Sequence, residues 1–70
     1  MDKNFETAKA EVMKMLEEAV ELHNDAITDR LDKEMVRMYM KEALVLRRVL
    51  KKAFGTEVKL YSDDYLLKIK

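Results

Sequence analysis

Residues 1–54 of this chain contain neither glycine nor proline, and the only glycine stands at Gly55. Apolar side chains recur through those residues at the spacing of an α-helix. That spacing makes both halves read as helix, so helix supplies most of the expected fold. Charge divides the stretch. Residues 1–29 hold eight acids (Asp2, Glu6, Glu11, Glu17, Glu18, Glu21, Asp25, Asp29) against three bases (Lys3, Lys9, Lys14). Residues 30–52 hold eight bases (Arg30, Lys33, Arg37, Lys41, Arg47, Arg48, Lys51, Lys52) against Asp32, Glu34 and Glu42. A formal net charge of zero therefore hides a dipole that favours folding one half back on the other.

Length limits what such a fold achieves alone. A chain of 70 residues makes one domain whose core contributes only a few kcal/mol, so a staple or a partner is expected. The chain has no cysteine, which excludes disulfides and thiolate metal sites, and the single histidine, His23, leaves little for zinc. Association with a partner is the remaining route. Half the residues are apolar while 40% are charged, the balance of a folded chain and not of a disordered one. A signal peptide's basic start and apolar run are absent, and no stretch approaches the roughly 20 apolar residues of a membrane span. The expectation is a cytoplasmic protein with no membrane contact and no cofactor.

At 100° per residue, Phe5, Ala8, Val12, Leu16, Ala19, Val20 and His23 share a face flanked by Met13, Met15 and Leu22, while Glu11, Lys14, Glu17, Glu18 and Glu21 take the other. The pattern predicts a helix over about 3–24, with Asp2 or Asn4 as its cap. Asn24, Asp25, Thr28, Asp29 and Asp32 then crowd together, and their short polar side chains compete for backbone groups. That cluster predicts a break near 25–29 with Thr28 or Asp29 capping the next helix; one unbroken helix in a long coiled coil is the rival. The second helix, about 29–54, should end at Gly55 in a left-handed cap, with Lys51 and Lys52 suiting the negative end of its dipole. Beyond it, 56–70 packs on the domain formed by 1–55. Alternation at Val58, Leu60, Tyr65, Leu67 and Ile69 predicts a hairpin turning at Ser62-Asp63-Asp64, and the same Ser-Asp-Asp equally suits the cap of a short helix. The fold class is mainly all-α, an antiparallel helical hairpin with a short tail.

The second helix is apolar on two sides. One string runs Leu31, Met35, Met38, Glu42, Val45, Val49 and the other Val36, Met40, Ala43, Arg47, Leu50, Phe54. The first helix covers only one of them, so the chain is expected to pair into a four-helix bundle, with Val36, Met40, Ala43, Leu50 and Phe54 as the candidate dimer interface. A Lys9–Glu42 ion pair is expected to fix the hairpin register, with little net stability.

No catalytic constellation emerges. His23 lacks a nucleophile or second acid–base group beside it and reads as a core-edge or capping histidine. Glu18 and Glu21 have the E-x-x-E spacing that all-α nucleotide pyrophosphohydrolases use for magnesium, but the nearest matching element, Asp29-Arg30-Leu31-Asp32, has the wrong first residue and falls in the break. A solvated acidic face outweighs a magnesium-dependent hydrolase there. Arg37, Lys41, Arg48 and Lys52 form a basic ridge with Arg47 beside it, open to nucleic acid or to an acidic partner, while overall neutrality and the lack of a helix-turn-helix or an evident aromatic stacking platform argue against nucleic-acid binding. Met13, Met15, Met35, Met38 and Met40 supply the adaptable side chains of a core or of a docking surface. The reading that follows is a non-enzymatic homodimeric interaction module, a regulator, adaptor or inhibitor of the kind bacteria and phages encode; a nucleic-acid-binding dimer is the alternative.

Overall fold

The structure, a computed structural model, describes residues 3–29 and 32–70. Helix α1 spans Lys3–Thr28 and helix α2 spans Lys33–Phe54, followed by strands β1, Leu60–Asp63, and β2, Leu66–Ile69. The helices pack side by side, and the two strands form an antiparallel hairpin on one face of the pair. The expected helical hairpin is thus present, and of the two readings of the tail the hairpin is the one formed.

α1 runs four residues past its expected end at about residue 24. Asn24 and Asp25 do not end it because the extension is stabilised by tertiary structure. Ala26 is buried at 1% exposure, and the Asn24 side chain bonds to β2 instead of competing for local amides. The cap of α2 is accordingly Asp32, not Thr28 or Asp29, and its carboxylate accepts the Glu34 amide at 2.9 Å. Asn4 lies inside the first turn of α1, and the proposed cap Asp2 lies outside the described residues, as do Arg30 and Leu31. The far end of α2 follows the sequence closely. Gly55 adopts φ 64°, and its amide donates to the Lys51 carbonyl at 3.1 Å.

The hairpin turns on Asp64 and Tyr65, both left-handed at φ 56° and 71°. Positive φ at both central residues is the twist that a two-residue connection needs, normally met by Asn-Gly or Asp-Gly. The turn therefore sits one to two residues later than the Ser62-Asp63-Asp64 expectation. Its register pairs Asp63 with Leu66 and Leu60 with Ile69.

One core unites the pieces. Leu16, Ala19 and Val20 of α1 meet Ala43, Leu46 and Leu50 of α2, and Val58 and Leu67 close the cluster from the tail. Phe5 packs on Phe54 at 5.2 Å between ring centroids. That contact fixes the helix register. Counting inward from it, Lys9 stands level with Leu50, and Glu42 with Glu17. The expected Lys9–Glu42 ion pair does not form, because lengthening α1 moved the two residues apart along the axis. Among the described residues the ion pair is Lys68–Asp63, at 3.2 Å on the exposed hairpin, where solvent screening leaves it little value.

Candidate functional site

The hairpin covers one face of the helix pair and leaves the opposite face open. Helical phase decides which residues lie where. On α1 the hairpin side carries Met13, Val20 and Asn24, and the reverse side carries Met15 and Leu22, exposed at 48% and 45%. On α2 the reverse side carries Met35, Met38, Val45 and Val49, all exposed. The Phe5–Phe54 register puts Met15 level with Val45 and Leu22 level with Met38, so the two stripes merge into one apolar surface.

This arrangement corrects the candidate dimer interface. Ala43 and Leu50 are fully buried by their own chain, Met40 and Phe54 pack against the same core, and Val36 is half-buried. The string assigned to a partner is the one the chain covers for itself; the string containing Met35, Met38, Val45 and Val49 is the uncovered one. Sequence reasoning counted two stripes correctly and exchanged them, because α1, with Val58 and Leu67 of the tail, covers the other side of α2. Glu42 interrupts the open stripe and is exposed.

A second surface lies across α2. β2 rests on α1, whereas β1 makes no close backbone approach to α2. The gap is a groove of about 1040 Å³. Arg47, Arg48, Lys51 and Lys52 form its helical wall, Lys59, Tyr61 and Lys70 its hairpin wall, and Leu44, Val58 and Leu60 its apolar lining. Six bases thus meet one acid, Glu57. None of the six forms an ion pair with another described residue. Arg37 and Lys41 lie further up the ridge, beside a small recess they share with Glu34 and Met38. The basic ridge therefore divides, with Arg47, Arg48 and Lys52 in the groove and Arg37 and Lys41 outside it. Lys59 and Lys70 carried no signal as site residues in the sequence, since only strand pairing brings position 70 beside position 59.

His23 is a core residue, 2% exposed, with Nδ1 3.0 Å from the Asn24 Oδ1. That oxygen also accepts the Leu67 amide at 2.8 Å, while the Asn24 Nδ2 donates to the Leu67 carbonyl at 2.9 Å. With Oδ1 acting as acceptor, His23 Nδ1 carries the proton and holds the carboxamide in its orientation. The job is structural: the Asn24 amide satisfies both outward-facing backbone groups of Leu67 as a neighbouring strand would. Glu18 and Glu21 are exposed on the outer side of α1, and no group of three metal-ligating side chains occurs among the described residues.

Among the described residues no helix is long and apolar enough to cross a membrane. Comparison with family models, with curated proteins and with solved structures gives no match for this chain.

Proposed function

We propose that this protein is a small non-enzymatic interaction module that works as a homodimer, joined through the open helical face and free to bind another molecule through its charged surfaces. The observation that carries the reading is the uncovered apolar face itself. The accessible surface supports it: 5573 Å² is exposed, against about 4,600 Å² for a typical monomer of this mass.

A second copy fits the face because the face is electrostatically self-complementary. Its α1 edge is acidic, with Glu11 and Glu18 exposed, and its α2 edge is basic, with Lys41 and Arg48 exposed. Two-fold packing of open face on open face has two simple forms. With the axis across the helices, α1 lies on α1 and acid meets acid. With the axis along the helices, α1 of each protomer lies on α2 of the other. The second form keeps the monomer's own levels, so Glu11 comes opposite Arg48 and Glu18 opposite Lys41 at the rim. We favour that four-helix bundle, in which like helices run parallel.

Sedimentation equilibrium at micromolar concentration tests the reading. The expected species is about twice 8.3 kDa, and Val45→Asp, at an exposed site, converts it to a folded monomer. A folded 8.3 kDa species that Val45→Asp leaves unchanged defeats the proposal.

A further inference from the structure

We propose that the groove between α2 and β1 binds the sugar–phosphate backbone of single-stranded nucleic acid, with Tyr61 as a stacking platform for a base. The site lies on the other side of α2 from the open face and shares with the dimer reading only Arg48, which the test below leaves unaltered. Four features converge on this ligand. The first is charge. Six cations line one concave surface with a single acid among them, and none is neutralised by another described residue. Bases left unpaired within reach of one another repel, and a polyanion removes that repulsion. The second is placement. Arg47 and Lys51, like Arg48 and Lys52, are one turn apart on α2, about 6 Å along the axis, a spacing comparable to successive phosphates of an extended strand.

The third feature is the hairpin mouth. The Lys70 amide donates to the Lys59 carbonyl at 2.9 Å, which sets these two residues directly opposite each other. Like charges directly opposite in a ladder are destabilising, and here the pair faces the helical cations across the groove. A ligand gripped from both walls explains why charge is concentrated at that rung. The fourth is Tyr61, an aromatic side chain 46% exposed on the hairpin wall of the groove. Stacking on one aromatic is tolerant of sequence and requires unpaired bases. Stacking on Tyr61 selects an unpaired strand over a duplex, whose bases are already stacked on one another. An acidic peptide would satisfy the cations but would leave Tyr61 without a role.

Fluorescence anisotropy with labelled oligothymidylate and oligouridylate tests the proposal, with duplex DNA and oligoglutamate as competitors. The expected result is binding at low salt whose logarithm falls with the logarithm of salt concentration with a slope of about −4 if all six bases contact phosphates. Lys51→Glu combined with Lys59→Glu should weaken binding by at least about tenfold, and Tyr61→Ala should weaken it with the slope unchanged. Lys14→Glu, an exposed base on α1, serves as the charge control. Circular dichroism confirms that each variant is folded, and sedimentation run in parallel separates loss of the groove from loss of the dimer. Absence of binding at low salt overturns the proposal. So does displacement by oligoglutamate at equal charge, which would assign the groove to acidic protein segments, and so does equal loss in the Lys14 control.

Discussion

Asn24 shows how one side chain settles a question that local preference leaves open. Its propensity argues for the end of a helix, yet it lies within α1 because its carboxamide completes the edge of β2. Asn24→Ala removes a donor and an acceptor from part-buried backbone partners, so it should destabilise the protein by about 1–3 kcal/mol. Asn24→Asp keeps the bond from the Leu67 amide and loses the one to its carbonyl, so urea denaturation should place it between Asn24→Ala and the native protein. A fall in protection of the hairpin amides from hydrogen exchange would locate the damage at the docking site. The turn offers the opposite sign. Tyr65 holds φ 71° with an 81% exposed side chain, a left-handed conformation that costs an L-residue about 1–2 kcal/mol. Tyr65→Gly creates the preferred Asp-Gly turn and should raise stability by up to about 1 kcal/mol, after the added entropy of the unfolded chain is subtracted. An unchanged or lower urea midpoint would show that the Tyr65 ring contributes contacts that outweigh its backbone strain.

At the scale of elements, the two apolar stripes of α2 separate what a sequence reveals from what it withholds. Periodicity shows that both exist. The Gly55 stop, the two helices and their antiparallel packing are legible because each follows from local chemistry: spacing, caps and the polar cluster that separates the helices. Which stripe faces inward is not legible. That choice depends on which side the tail folds to, and the tail's position depends on Asn24, 43 residues from its partner Leu67. The length of α1 was hidden for the same reason, and with it the register that separates Lys9 from Glu42. The groove was visible only as a basic ridge, because its second wall arrives with β1. The two stripes should respond differently to the same kind of change. Leu50→Ala empties a fully buried site and should cost about 2–5 kcal/mol, enough to unfold much of a domain this small. Val45→Ala, at a residue 59% exposed, should leave the folded protomer's stability within about 0.5 kcal/mol while weakening self-association. Thermal melts at low concentration, compared with sedimentation at high concentration, distinguish these effects.

The whole molecule is a rod, 44 × 17 × 14 Å, with the hairpin on one long face and apolar surface on the other. A rod of two helices, joined through an apolar core, has too little interior to hide two stripes, and the charge division between the helices labels the rod's edges. In the favoured bundle those labels select the pairing. Glu18→Lys alone sets a base opposite Lys41 and should weaken the dimer; Lys41→Glu alone sets an acid opposite Glu18 and should do the same. Each is expected to reduce the association constant several-fold, the scale of an exposed rim pair, and the double reversal should restore most of it. Association constants from sedimentation equilibrium, read at low and at physiological salt, complete the cycle. Additive losses without recovery would remove the arrangement of α1 on the partner's α2. Glu42 gives an independent reading of the same geometry. It sits within the open stripe, and an axis along the helices brings the two copies of Glu42 toward each other in the apolar centre. Two carboxylates there oppose association, so Glu42→Gln should tighten the dimer by more than any rim change weakens it. If Glu42→Gln leaves the association constant unmoved, the two copies lie apart, and packing with the axis across the helices becomes the better description of the assembly.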